Sequence, residues 1–303
     1  MARKIATKRL FVVMLPVVAL GLMTPVSSGV AAAAVVKPPG YTTWTETFVD
    51  SSRPTVPSTG PALPSRTLVT TIYKPNGHGP FPLIVFSHGY VGYPEKFTKL
   101  FAAWARAGFV VVAPTFPLTN GHLARPNAGD YVNQPGDVSF VLDRALALDK
   151  QRGSRLYHAI ADHRIGAGGL SLGGLTTYIT AYDDCCRDER IDAVAVLNGI
   201  RGTGQLDGHV PLLIAHSDTD PVIPYSTARA AFESATAPVW LVTLHGASHA
   251  SQWEDDVTPY DAIAERVTTD FWDATLNNKR KSVTRLQLDA TVRGLSSIEA
   301  KAR

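Results

Sequence analysis

Short runs of apolar residues alternate along the middle of the chain with longer segments whose apolar residues recur at helical spacing. The apolar runs are rich in β-branched residues, and continuous runs of this kind are typical of strands buried on both faces of a parallel sheet. The pattern predicts strands at 68–73, 82–87, 109–113, 165–167, 191–197, 210–215 and 239–244. It predicts helices at 94–107, 135–149, 172–182, 226–233 and 261–276. This alternation predicts an α/β fold with a mostly parallel central sheet flanked by helices.

Changes in composition divide the rest of the chain. Residues 35–60 are rich in proline, threonine and serine, and we expect an extended N-terminal segment there, with a weak edge strand at 41–49. Residues 61–276 hold the clear strand and helix patterns and predict a single domain. Residues 277–303 are polar and basic, and we interpret them as a polar C-terminal tail.

The first 34 residues have the pattern of a secretory signal peptide, with basic residues, then an apolar run and then small residues. The apolar run is short for a membrane span and is interrupted by Pro16, so we expect no stable membrane span in the mature chain. The sequence therefore predicts a protein that is secreted after cleavage. Removing residues 1–34 takes away four basic and no acidic residues, which changes the net charge from +3 to −1. No basic patch is dense enough to predict a nucleic-acid partner.

The only cysteines are two neighbours, Cys185 and Cys186. Export favours their oxidation, but a bridge between adjacent residues closes a small ring and constrains no long loop. Spacing alone leaves open whether they form this bridge or remain a pair of thiols. Two cysteines beside two aspartates do not make a metal site, and we expect neither a metal nor a cofactor.

The segment 169–173 reads Gly-Leu-Ser-Leu-Gly and has the glycine-x-serine-x-glycine pattern of a nucleophile elbow. In such an elbow a serine occupies a tight, strained turn between a buried strand and a helix, so only very small residues fit two positions before and after it. The predicted strand at 165–167 and the predicted helix at 172–182 supply that context. We therefore predict that Ser171 is a catalytic nucleophile.

A serine hydroxyl needs an imidazole to take its proton and an acid to orient that imidazole. In enzymes with this elbow the order along the chain is serine, acid, histidine, each on a loop after a strand. The loop after the sixth predicted strand offers Asp218 and Asp220. We favour Asp220, because the Pro-Val-Ile-Pro segment after it suits a supporting turn. After the last predicted strand we favour His249 over His245, because it lies farther into a loop of small residues.

Acyl transfer also needs hydrogen-bond donors for the negative charge that develops on the carbonyl oxygen. One predicted donor is the backbone N–H of Leu172, the residue after the nucleophile. The second is the backbone N–H of Tyr90, in the loop after the predicted strand at 82–87. The Tyr90 ring and the Trp253 indole are candidate walls of a substrate pocket, and plain packing is the alternative for Trp253.

These segments resemble the α/β-hydrolase superfamily. The resemblance covers about residues 66–275 and rests on Ser-His-Gly-Tyr at 87–90, the elbow, Asp-Pro-Val-Ile-Pro at 220–224 and Gly-Ala-Ser-His at 246–249. Within the superfamily, 79–89 is similar to dienelactone-hydrolase-like proteins, chlorophyllases, platelet-activating-factor acetylhydrolases and cutinase-type polyesterases. The chain differs from dienelactone hydrolases proper in its serine nucleophile, and from many polyesterases in lacking a disulfide near the C-terminus. The resemblance implies an α/β-hydrolase fold and ester hydrolysis.

Taken together, the triad and the resemblance predict that 61–276 is the catalytic domain of a secreted serine esterase. Its substrate would be a small-molecule or lipid carboxylic ester, cleaved through an acyl-enzyme. The connection between the strands at 191–197 and 210–215 is too short for a lid, so we expect no large cap domain. We expect an open site bordered by 115–132, 199–209 and Trp253. An acyltransferase or peptidase with the same triad and a non-catalytic binding protein are the alternatives.

Overall fold

The structure is a computed structural model and describes residues 39–207, 210–236 and 238–301. The strands within these ranges are β1 (Tyr41–Asp50), β2 (Arg66–Pro75), β3 (Phe81–Ser87), β4 (Val110–Thr115), β5 (Ile160–Leu170), β6 (Ile191–Leu197), β7 (Leu212–Ser217), β8 (Val239–Leu244) and β9 (Ser296–Lys301). The α-helices are α1 (Thr98–Ala107), α2 (Gln134–Lys150), α3 (Leu172–Tyr182), α4 (Tyr225–Ser234), α5 (Asp261–Thr275) and α6 (Arg280–Asp289). Short 3-10 helices at Pro94–Phe97 and Ala128–Asn133 precede α1 and α2.

The strands form one sheet in the order β1-β2-β4-β3-β5-β6-β7-β8-β9. The block from β4 to β8 is parallel, whereas β1, β2 and β9 run antiparallel to their neighbours at the two sides of the sheet. One apolar cluster packs α2, α3 and α4 against one face, and a second packs α1, α5 and α6 against the other. The predicted α/β-hydrolase architecture is confirmed. Because the parallel strands all end at one edge, the loops that follow them meet there.

The connection from β6 to β7 leaves no room for a large cap. It runs from 198 to 211, and its described residues, 198–207, 210 and 211, contain no helix. Among the residues that the structure describes, no helix is both long and apolar enough to cross a membrane. The predicted signal peptide, residues 1–34, lies outside the described residues.

The C-terminal residues differ from the prediction of a polar tail at 277–303. The helix α6 and the strand β9 occupy most of this range. The strand β9 pairs with β8 along its whole length, and Leu286 of α6 is fully buried in the cluster that contains α5. The sequence pattern misses both elements because an outer helix and an edge strand bury few apolar side chains. At the other side of the sheet, β1 lies where the weak edge strand is predicted.

A buried ion cluster joins β2 to the segment around the start of α2. The Arg66 side chain is fully buried, and its guanidinium donates to Asp130 at 2.8 Å and to Asp137 at 2.6 Å. Arg53 donates to the other oxygen of Asp137 at 2.8 Å. Because buried charges are stable only when paired and hydrogen-bonded, this cluster fixes the end of the 115–132 loop against the sheet.

The two neighbouring cysteines, Cys185 and Cys186, form a disulfide in the loop that follows α3. Of the two alternatives that the sequence leaves open, the structure has the bridge and not the pair of thiols. Since the bridge joins adjacent residues, it cross-links no separate elements of the fold.

Candidate active site

The nucleophile elbow lies at the carboxyl edge of the sheet, between β5 and α3. Ser171 has φ +57° and ψ −118°, a strained conformation for a residue with a side chain. A Cβ atom at Gly169 would collide with the carbonyl oxygen of Gly173, and one at Gly173 would collide with that of Ser87. Backbone therefore approaches the turn so closely that both flanking positions require glycine.

The structure brings the three predicted triad residues together, although they lie far apart in the chain. The Nε2 atom of His249 is 2.8 Å from the Oγ atom of Ser171, and its Nδ1 atom is 2.7 Å from Oδ2 of Asp220. The carboxylate can only accept, so Nδ1 carries the proton and Nε2 accepts from the serine hydroxyl. This tautomer leaves Nε2 as the atom that can take the proton of Ser171.

The carboxylate of Asp220 is fully buried and has donors on both oxygens. Its Oδ1 accepts from the backbone N–H groups of Val222 at 2.8 Å and Ile223 at 3.0 Å. Its Oδ2 accepts from His249 and from the Nδ2 atom of Asn198, at 2.6 Å. Burial raises the pKa of Asp220, but these hydrogen bonds outweigh burial and hold the pKa below its usual value. The group is therefore ionised at neutral pH.

The two alternative residues, Asp218 and His245, pair with each other instead of joining this site. The Nδ1 atom of His245 donates to Asp218 at 2.8 Å, and its Nε2 atom accepts from the hydroxyl of Ser297 in β9 at 3.0 Å. The other carboxylate oxygen of Asp218 accepts from the Gly246 amide at 2.8 Å, so this aspartate caps a backbone N–H group of the neighbouring loop. Both side chains are partly exposed.

The loop after β3 passes directly beside the serine. A Cβ atom at Gly89 would lie 3.2 Å from the Cβ atom of Ser171 and 3.8 Å from its Oγ atom. The next residue is Tyr90, and its backbone N–H and that of Leu172 have no acceptor among the described residues. Two unpaired donors near a serine are what a developing oxyanion needs.

A buried histidine holds this loop in shape. The Nδ1 atom of His88 donates to the carbonyl oxygen of Gly89 at 2.7 Å, and its Nε2 atom accepts from the backbone N–H of Phe116 at 3.0 Å. This arrangement requires a neutral ring, and burial lowers the pKa of His88 to about 4. His88 is thus a buried histidine whose two ring nitrogens are both hydrogen-bonded, and it holds the loop rather than taking part in proton transfer.

Of the two side chains predicted as pocket walls, Tyr90 lies at the surface and Trp253 lies in the core. The Tyr90 ring is 43% exposed, and its hydroxyl donates to the carbonyl oxygen of Pro126 at 3.1 Å, which ties the loop after β3 to the 115–132 loop. Trp253 is only 2% exposed, so the prediction that it borders an open pocket is wrong. The turn that follows His249 folds back at Ala250 and carries the indole into the core behind the triad.

Sequence reasoning missed one residue of the site, Asn198, which directly follows β6. It is fully buried, has φ +41°, and its Oδ1 atom accepts from the indole N–H of Trp253 at 2.8 Å. Its Nδ2 atom donates to Asp220, as described above. An Asn-Gly pair directly after a buried strand, at the edge where the triad loops meet, is the signal that could have found it.

A protein-family model described as Chlorophyllase matches residues 33–219. The chain belongs to the chlorophyllase family. Two curated relatives are both named "Chlorophyllase-1, chloroplastic": the protein of Citrus sinensis is 23% identical over 206 residues, and that of Citrus unshiu is 22% identical over 206 residues. Each alignment covers 68% of this chain and 59% of the relative, so the chain matches little more than half the length of these chlorophyllases.

The chlorophyllase match covers only part of the candidate site. It includes Gly89, Tyr90 and the elbow with Ser171, but it ends just before Asp220 and well before His249. The choice of acid and base therefore depends on the hydrogen-bond geometry, and membership of the family does not supply it.

Proposed function

We propose that this member of the chlorophyllase family is a secreted serine hydrolase that cleaves carboxylic esters through an acyl-enzyme. The observation that carries the proposal is the continuous hydrogen-bonded relay from Ser171 through His249 to Asp220. Its position at the end of a strained elbow, beside two unpaired backbone amides, is the arrangement that acyl transfer requires.

In the first step Ser171 attacks the carbonyl carbon of the ester. His249 takes the hydroxyl proton at Nε2 as the new C–O bond forms, and the ionised Asp220 stabilises the resulting imidazolium. The carbonyl oxygen becomes an oxyanion that accepts hydrogen bonds from the N–H groups of Tyr90 and Leu172. Each well-placed donor of this kind contributes about 3 kcal/mol of transition-state stabilisation. Collapse of this intermediate expels the alcohol, which receives the proton from His249.

In the second step water replaces the alcohol. His249 takes a proton from water as its oxygen attacks the acyl carbon, and the same two amides hold the second oxyanion. Breaking the bond to Ser171 releases the carboxylic acid and returns the proton to the serine. An amine or an alcohol that took the place of water would make the protein an acyltransferase, and an amide substrate would make it a peptidase.

The central test is replacement of Ser171 by alanine, with Ser297→Ala as the matched control. Ser297 is a second serine bonded to a histidine–aspartate pair, but it lies on β9 without an elbow. We expect Ser171→Ala to remain folded, to lose fluorophosphonate labelling and to lose hydrolysis of p-nitrophenyl butanoate by at least about 10³-fold. Ser297→Ala should keep both. Near-parent hydrolysis by Ser171→Ala would refute the proposal.

The substrate is addressed by a panel of esters. Without a large cap the site is open, so we propose short acyl esters or bulky esters that enter from bulk solvent. The panel should include graded p-nitrophenyl alkanoates, a phospholipid, a polyester, a matched amide and chlorophyll, after which the family is named. A steep preference for long-chain triglycerides with interfacial activation would contradict the open site, and faster turnover of the amide than of its ester would favour a peptidase.

Secretion is a separate part of the proposal and is supported by the pattern of residues 1–34. Expression of the full chain in a secreting host should release a mature protein into the medium. Its N-terminal sequence should begin close to residue 35. Retention of the uncleaved chain inside the cells would contradict the signal-peptide interpretation and leave the proposed chemistry unaffected.

A further inference from the structure

The side-chain amide of Asn198 links the acid of the relay to a buried tryptophan. Its Nδ2 atom lies 2.6 Å from Oδ2 of Asp220, and its Oδ1 atom lies 2.8 Å from Nε1 of Trp253. The orientation of the amide is determined by its partners, because a carboxylate only accepts and an indole N–H only donates. The Nε2 atom of Gln252, 3.3 Å from the same Oδ1 atom, supports this orientation.

Asn198 also joins the three loops that follow β6, β7 and β8. It is the first residue after β6, Asp220 lies in the loop after β7, and Trp253 follows the loop that carries His249. Its φ of +41° lies in the left-handed region, which asparagine adopts more easily than most residues. The side chain and backbone of this residue are therefore both suited to this one position.

We propose that Asn198 is a positioning residue that fixes the carboxylate of Asp220 and moderates the basicity of His249, and that Trp253 holds the Asn198 amide in its orientation. The inference deepens the proposed function and rests on it, since it concerns the same serine–histidine–aspartate relay. It also assigns a role to Trp253, which takes part in the site as a hydrogen-bond donor and not as a pocket wall.

Asn198 acts on His249 through Oδ2 of Asp220, because this oxygen accepts hydrogen bonds from both side chains. A donor to Oδ2 draws negative charge away from the oxygen that faces the imidazole and so weakens the attraction for the imidazolium. The other titratable group at this carboxylate is His216, whose Nε2 atom lies 3.5 Å from Oδ2 and donates to the Ile223 carbonyl at 3.0 Å. Burial lowers the pKa of His216, so this ring is neutral and adds no charge. Loss of the Asn198 donor should therefore strengthen the attraction of Oδ2 for the imidazolium of His249 and make this base harder to deprotonate.

The test uses Asn198→Gly, Trp253→Phe and Trp104→Phe, assayed with p-nitrophenyl butanoate across pH. Glycine accepts the positive φ at 198 and removes only the side chain. Phenylalanine at 253 keeps an aromatic ring and removes the indole N–H. Trp104 is the matched control, because it is also fully buried and donates its indole N–H to Thr268 at 2.9 Å, in the α1–α5 packing.

We expect Asn198→Gly to lower kcat by about tenfold or more with little change in KM, because the base is less well oriented. The acid limb of the kcat/KM profile should move to higher pH by about half a unit. Trp253→Phe should move both quantities in the same directions by smaller amounts. Trp104→Phe should lower thermal stability and leave kcat and the acid limb within experimental error.

The inference is overturned if the acid limb and kcat stay at their parent values in Asn198→Gly, or if Trp104→Phe changes them as much as Trp253→Phe does. Trp253→Phe alone decides the matter if Asn198→Gly does not fold. Failure of the proposed function is a different result: the parent protein would show no hydrolysis that depends on Ser171. A parent that is active through Ser171, with variants whose profiles are unchanged, would refute only the role of Asn198.

Discussion

Replacement of Asp220 by asparagine should abolish catalysis through a change of tautomer in His249 while the fold is preserved. The oxygens of Asp220 have different neighbours, since Oδ1 accepts from two backbone amides and Oδ2 accepts from Asn198 and His249. The asparagine oxygen will take the Oδ1 position, because the two backbone amides can only donate and cannot turn, whereas at Oδ2 the Asn198 amide can reorient and His249 can change tautomer. Its NH₂ group will then face His249.

An NH₂ group in that position requires an acceptor on the imidazole. His249 can meet this demand only by giving up the Nδ1 proton, so its remaining proton sits on Nε2 and points at Ser171. Such a ring cannot take the serine proton. Loss of the correct tautomer in a serine–histidine–aspartate triad lowers kcat by about 10⁴-fold, or roughly 5–6 kcal/mol of activation free energy.

The assay is the pre-steady-state and steady-state hydrolysis of p-nitrophenyl butanoate by Asp220→Asn, with Asp218→Asn as the matched control. Asp218 lies two residues away and pairs with His245, so its amide variant should keep kcat within about fivefold of the parent. Imidazole ¹⁵N resonances should show the tautomer change only in Asp220→Asn. More than a tenth of parent activity in Asp220→Asn, or a larger loss in Asp218→Asn, would refute the assignment of the acid.

Three further outcomes follow from the buried groups. Gly173→Ala should lower the free energy of unfolding in urea by at least about 4 kcal/mol, because the new methyl group meets the carbonyl oxygen of Ser87. A soluble, active variant would contradict this close approach. Arg66→Met should lower the free energy of unfolding by about 3–5 kcal/mol, since it leaves Asp130 and Asp137 buried without this partner. A loss below about 1 kcal/mol would contradict the stabilising role of the buried ion cluster. His88 has a folded-state pKa of about 4 against an ordinary 6.5, so the unfolded chain binds the extra proton and stability should be lost as pH falls from 6.5 towards 4. That loss is on the order of 3 kcal/mol, and His88→Gln should flatten the slope of thermal midpoint against pH in this range.

The sheet, and the loops that bring Ser171, Asp220 and His249 together, could be predicted from local patterns. Strands buried on both faces require continuous apolar runs, such as the one at 239–244, and the elbow requires glycine at fixed distances from Ser171. The order of serine, acid and histidine then selects one loop for each partner. Asp220 and His249 follow from that order, and the structure places both within hydrogen-bond distance of their expected neighbours.

Features that depend on distant parts of the chain could not be predicted. The strand β5 extends well beyond the predicted 165–167, and its glycines conceal its length because they interrupt the apolar run. Glycine is needed at Gly166 because the ring of Trp272 approaches there. A Cβ atom at this position would lie 2.7 Å from that ring. The position of Trp253 depends on a turn that folds it towards Asn198, and neither residue has a local pattern that names the other. Both cases are set by packing between elements that are remote in sequence.

The pairing of β9 with β8 has a consequence for anyone who shortens this protein. The residues of β8 are all buried, whereas β9 is a polar strand that carries Glu299 and Lys301 at the outer edge of the sheet. Trimming the chain at residue 276 would uncover an apolar strand with a free row of amide and carbonyl groups, which is a template for intermolecular aggregation. Soluble fragments for crystallisation or immobilisation should therefore retain the chain through Lys301.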